Sequence, residues 1–135
     1  MPFVLDASVT VCWALQDEQD PRADLAQARI RADEAVVPSL WWFEVRNILV
    51  VNERRKRIAE PEMAIFLRGV SRLPIRIDRD PHEGAILRLA RTYRLTVYDA
   101  SYLDLALREG IPLATLDGAL SAAARAERAP LLEDE

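Results

Sequence analysis

The residues of this chain with the greatest capacity for chemistry are four carboxylates: Asp6, Glu44, Asp99 and Asp117. Asp6 directly follows the apolar run Phe3-Val4-Leu5, and Asp117 stands two residues past Thr115, which ends Pro112-Leu113-Ala114-Thr115. Glu44 falls in the first two turns of a helical pattern after Ala35-Val36-Val37, and Asp99 opens the pattern that leads to Pro112. Taken singly, each aspartate is explained as a helix cap, because Asp is a preferred N-cap residue. Glu44 caps nothing, and the four together point to a shared site. Carboxylates that converge in a crevice repel one another, and a hard divalent cation relieves that repulsion. Mg²⁺ or Mn²⁺ takes oxygen ligands and keeps several waters. A typical zinc site is excluded, since Cys12 and His82 are the sole thiol and imidazole and lie far apart in sequence. One or two such ions suit phosphodiester hydrolysis, where they activate water and stabilise the leaving oxygen.

These residues need a scaffold that carries them to one place, and the hydrophobic pattern supplies it. Phe3 to Leu5, Ala35 to Val37, Pro74 to Ile77 and Pro112 to Thr115 read as short strands, with Leu131-Leu132 a candidate fifth at the edge. Helical patterns fall between them: from Ala7; after Asp20-Pro21; from Ser39 to about Lys56; from Met63 to about Ser71; after Asp80-Pro81; from Asp99 to about Glu109; and from Ala119 to Arg128. Thr96-Val97-Tyr98 reads as a loop, with Asp99 as the cap, and Gly110 as a left-handed helix end. Strands alternating with helices imply a single α/β domain over residues 1–135 with a parallel sheet. In such a sheet every connection leaving a strand emerges at one edge. With strand order 3-2-1-4-5, Asp6 and Asp117 flank the switch point where these sheets open a crevice.

The quoted segments resemble a known family. Val4-Leu5-Asp6-Ala7-Ser8, then Glu44-Val45-Arg46-Asn47, then Tyr98-Asp99-Ala100-Ser101-Tyr102-Leu103-Asp104-Leu105-Ala106, then Leu113-Ala114-Thr115-Leu116-Asp117 are similar, in order, to the signature segments of PIN-domain ribonucleases. Within that family the chain most resembles the VapC-like toxins of toxin–antitoxin pairs. The resemblance implies an α/β/α sandwich and an Mg²⁺- or Mn²⁺-dependent endoribonuclease with one or two ions. It implies that Asp6, Glu44, Asp99 and Asp117 are both the metal ligands and the catalytic residues. Ser8 and Thr115 match positions whose hydroxyls support the acidic cluster. Asn47, one helical turn from Glu44, is placed to hold it or to touch the RNA. The resemblance further implies hydrolysis by a metal-activated water that leaves a 3′-hydroxyl and a 5′-phosphate, a homodimer, and a VapB-like antitoxin.

Composition narrows the rest. The 135 residues are 50% hydrophobic and 30% charged, as in a globular domain. The net charge of −4 argues against a nucleic-acid binder held by a basic surface. The N-terminus lacks a basic segment and no apolar run approaches membrane length, so the expected location is the cytoplasm, with no membrane partner. Cys12, alone, forms no intramolecular disulfide and reads as a core thiol. Asp104, five residues past Asp99, points about 140° away from it on a helix. It is a lower-rank acidic candidate, either solvated or paired with Arg108. His82 reads as exposed and non-catalytic. Trp41, Trp42 and Phe43 cannot all face one way, so core packing plus an interface explains them better than base stacking. Arg54-Arg55-Lys56-Arg57 suits phosphate contacts or a solvated helix end equally.

Three other functions compete with the toxin reading. A PIN-domain ribonuclease of RNA processing or decay would carry the same site. A phosphoacceptor would want an activating Lys after a strand, and Lys56 lies in a helical charge run. A non-catalytic binding module would keep the acidic pocket only as a cation-stabilised core.

Overall fold

The computed structural model describes all 135 residues. Four short parallel strands form the sheet: β1 (Phe3–Leu5), β2 (Ala35–Pro38), β3 (Ile75–Asp78) and β4 (Leu113–Ala114), in the order β3-β2-β1-β4. Around it lie α1 (Ala7–Cys12), α2 (Pro21–Arg29), α3 (Leu40–Arg54), α4 (Glu60–Val70), α5 (Glu83–Tyr93), α6 (Val97–Glu109) and α7 (Gly118–Ala126). A 3-10 turn, Leu132–Asp134, ends the chain. Helix α1 packs on α2 and α3, while α6 packs on α5, α7 and the central strands β1 and β2. The result is the expected α/β class with a parallel sheet between helices. The fifth strand is reduced to one parallel bridge, Leu131 to Leu113, beside β4 where the order 3-2-1-4-5 places it. Arg128 takes a left-handed conformation just before this stretch, and the 3-10 turn closes immediately after it, leaving too few extended residues for a ladder.

The central strands explain themselves. Every residue of β1 and β2 is buried, as strands covered on both faces require, whereas edge strand β3 alternates and exposes Arg76. Pro38, which lacks an N–H, closes β2 and pairs with Asp78. Helix ends follow local chemistry. Asp20 accepts from the Arg22 N–H to start α2 with Pro21 in its first turn. Gly110, at φ +64°, ends α6 in the left-handed region where a side chain is strained.

Three local expectations are corrected. Val97 and Tyr98 are helical rather than loop, and Thr96 rather than Asp99 is the cap: its Oγ1 accepts from the Asp99 N–H at 3.0 Å. Ser39 occupies the position before α3 but makes no capping hydrogen bond. Helix α5 begins at Glu83 rather than at Asp80-Pro81.

One buried chain of hydrogen bonds sets α3 against α1. The Trp41 indole Nε1 donates to Thr10 Oγ1 at 3.0 Å, and that hydroxyl donates to the Asp6 carbonyl at 3.2 Å. Both side chains are buried, so removing one partner strands the other away from water. Trp41→Phe keeps the apolar packing and loses the bond; the expected cost is about 1–2 kcal/mol, read as a lower urea midpoint with an unchanged slope.

Candidate active site

Asp6 is the most confined carboxylate of the site, at 5% exposure. It stands immediately after β1 at the start of α1, yet its side chain makes no capping bond. Instead, both hydrogen bonds converge on one oxygen: Ser8 Oγ donates to Asp6 Oδ2 at 2.8 Å and Thr115 Oγ1 donates to the same atom at 2.6 Å. Each hydroxyl also accepts a backbone N–H, Ser8 Oγ from Leu116 and Thr115 Oγ1 from Asp117, both at 3.0 Å. The hydroxyls are therefore oriented: the backbone occupies their acceptor side and turns their protons toward Asp6. Burial raises the Asp6 carboxyl above its ordinary value, and the Thr115 and Ser8 hydroxyls partly offset that by bonding the charged form.

The other three acids arrive from three different elements. Glu44 extends from α3, half-buried, and Tyr102 Oη donates to its Oε1 at 2.6 Å. Burial raises Glu44, the Tyr102 bond lowers it, and the charge of Asp6 raises it again. Tyr102 itself is fully buried and pushed far above the phenolic range by burial, Asp6 and Glu44, so it stays a donor. Asp99, in the first turn of α6, is raised to about 6 by burial, then by the charges of Asp6 and Asp117, a hydrogen bond with Asp117, and Glu44. Asp117 caps α7, its Oδ1 accepting from the Ala119 N–H at 3.0 Å. The four candidates are thus neighbours at one edge of the sheet. None of them has a Lys or Arg partner, although the rest of the surface is rich in ion pairs.

The remaining candidates separate. Ser8 and Thr115 sit against Asp6. Asn47 is exposed, makes no hydrogen bond to Glu44, and instead lines a cavity with Leu40, Phe43, Glu44 and Tyr98. Asp104 is not solvated: at 2% exposure it accepts from Arg108 at 2.8 Å, and Arg108 bridges onward to Asp78 at 2.9 Å. That ion triad ties α6 to the end of β3, away from the four acids. His82 is exposed, Cys12 is buried, and Arg57 of the basic run pairs with Asp17 and Glu18. Tyr102 is a site residue that the sequence reading misses, although its spacing of three from Asp99 places both on one face of α6.

An oxygen-only set of carboxylates with no thiolate or imidazole suits a hard divalent cation. As placed, no three acidic, histidine or cysteine side chains are gathered closely enough to hold an ion. Glu44, Asp99 and Asp117 are each partly exposed.

Charge crowding has a consequence for stability. A carboxyl raised from 3.8 to about 6 binds its proton more tightly folded than unfolded, so its contribution is complete below pH 3.8 and lost as pH rises through about 6. In chelator, the stability of the wild type relative to Asp99→Asn should fall across that window and level off above it. Thermal melts at closely spaced pH check this; a difference that rises with pH would contradict the crowding.

A family model described as the PIN domain matches residues 3–126. A search of curated proteins gave no match. Among solved structures, that of PAE2754 from Pyrobaculum aerophilum aligns at 26% identity and TM-score 0.70, covering 91% of this chain and 87% of that one. VapC20 of Mycobacterium tuberculosis, a sarcin-ricin loop cleaving toxin, shares the fold at 14% identity and TM-score 0.60, over 90% of this chain and 94% of its own. With one family model spanning nearly its whole length, the chain belongs to the PIN domain family, a family of nucleases.

Proposed function

We propose that this protein is a metal-dependent endoribonuclease, with Asp6, Glu44, Asp99 and Asp117 as its Mg²⁺ or Mn²⁺ ligands and catalytic residues. The observation that carries the reading is the treatment of Asp6. Its carboxylate is buried without a basic partner, held through one oxygen by two backbone-oriented hydroxyls, and crowded by neighbouring acids. Leaving charge so disposed is costly unless a cation joins it. A bound Mg²⁺ or Mn²⁺ would supply Lewis-acid charge at the scissile phosphate and make a water acidic enough to attack near neutral pH.

The chain's own residues do the positioning. Ser8 and Thr115 fix the rotation of the Asp6 carboxylate and leave Oδ1 free of a side-chain partner. Tyr102 holds Glu44 through Oε1 and leaves Oε2 turned to other use. Asp117 is tethered by the α7 N-terminus through Oδ1. Asp99, crowded by the other three acids and raised to about 6 while no cation offsets them, is the carboxylate that a bound ion would relieve most. RNA is the substrate class, and the biological role is that of a VapC-like toxin. A VapB-like antitoxin and a second copy of the chain are its partners, and the cytoplasm is its location. The fold shared with VapC20 supports this role. No helix is long and apolar enough to cross a membrane.

Asp6→Asn and Asp99→Asn should each lower RNA cleavage by about 100-fold or more, with melting and circular dichroism of a folded protein; chelator should abolish wild-type cleavage and Mn²⁺ restore it. Undiminished, chelator-resistant cleavage by both variants would overturn the assignment. Thr115→Val keeps shape but removes the short bond to Asp6, and should cost about 10-fold or more in metal affinity or rate. For the toxin role, induced expression in a bacterial host should arrest growth with the wild type and not with Asp6→Asn.

A further inference from the structure

Two of the most exposed aromatic rings stand beside the acids. Phe43 is 70% exposed and Tyr98 61%, and each directly precedes one of the four carboxylates, Glu44 and Asp99. Successive helical residues diverge by about 100°, so each ring lies on the flank of the helix next to its acid. Although they come from different helices, both rings line one open cavity of 390 Å³, together with Leu40, Glu44 and Asn47. Phe43 is braced from behind. The Trp42 ring meets it edge-on, centroids 5.0 Å apart at 71°, and the Arg46 guanidinium lies 4.0 Å over Trp42 while donating to the Trp42 carbonyl. An exposed ring held in this way is pre-organised rather than loose.

The lining says what fits. No Lys or Arg borders the cavity, and its one charge is the carboxylate of Glu44, so it is not built for a phosphate. Two π-faces, the aliphatic side chain of Leu40 and the Asn47 carboxamide suit a flat, uncharged ring with polar edges. Extending the nuclease reading above, on which this rests, we propose that Phe43 and Tyr98 form a stacking subsite for an unpaired base of the RNA, adjacent to the bond that is cut. Asn47 then contacts the edge of that base rather than holding Glu44. Bases in single-stranded or looped RNA can splay out onto aromatic rings, whereas bases within a duplex cannot. The subsite therefore selects for unpaired RNA and tolerates different bases.

The test compares wild type, Phe43→Ala, Tyr98→Ala and the double variant on a short fluorescent single-stranded RNA with Mn²⁺, alongside the same RNA annealed to its complement. Both rings are exposed, so the variants should melt with the wild type. The double variant should raise KM for the single strand by about tenfold or more with kcat nearly unchanged, and Phe43→Trp and Tyr98→Phe should restore the wild-type KM. Binding of the single strand to Asp6→Asn should weaken in parallel when the two alanines are added. If the wild type cuts the strand and the alanine variants cut it with the same KM, the subsite is wrong and the nuclease reading stands. If the strand binds through Phe43 and Tyr98 but is never cut, the subsite stands and the nuclease reading falls. If the alanines leave RNA binding intact but turn a dimer into a monomer in sedimentation, the rings belong to a self-association surface and the proposal is overturned.

Discussion

Burying an ionisable carboxylate at the end of a central strand is the constraint from which the architecture of this protein follows. Asp6 is shut away from water by the same packing that buries all of β1, and burial alone would drive it toward the neutral form. Two hydroxyls answer that cost, and they come from opposite ends of the chain: Ser8 on α1 and Thr115 just after β4. Their second bonds, from the Leu116 and Asp117 N–H groups, weld the loop leaving β4 to the start of α1. Chain ends more than a hundred residues apart are thus joined at the point where the sheet changes its winding direction, between β1 and β4.

The neighbouring elements are aligned on the same point by buried polar groups. The Trp41–Thr10–Asp6 carbonyl relay sets the start of α3 against α1, and the Tyr102–Glu44 bond sets α6 against α3. Each of these donors is buried, so each bond carries a penalty for being broken that exceeds its net worth when made. Geometry at the site is therefore enforced by desolvation rather than by many strong contacts.

Two treatments of an acid occur on α6. Asp104 is neutralised by Arg108, which also takes Asp78, and the triad reads as a structural clasp between α6 and β3. Asp99, five residues earlier on the same helix, has no cation and faces three other acids. A structural pair closes its charge within the chain; a binding site leaves it open for something that arrives.

The sequence by itself determined the parallel α/β class and the order of the first four strands, and it singled out the four acids as candidates. Those readings rest on local chemistry: apolar runs too short for helices, acids at the strand ends, and a glycine at a left-handed helix end. The hydroxyls of Ser8 and Thr115 were legible only through the resemblance to the PIN family, whose matching positions support the acids. Tertiary structure alone decided what depends on contacts between distant segments. The cap of α6 is Thr96 rather than Asp99 because Val97 and Tyr98 join the helix, and only the backbone path decides where its first turn begins. The Asp104–Arg108 pair was one of the two alternatives the sequence offered, but its burial and the further bridge from Arg108 to Asp78 involve a partner that no local pattern discloses. Of three consecutive aromatics, the fold put Trp41 in the core and Phe43 beside Tyr98, since the face of a helix is assigned by what packs against it.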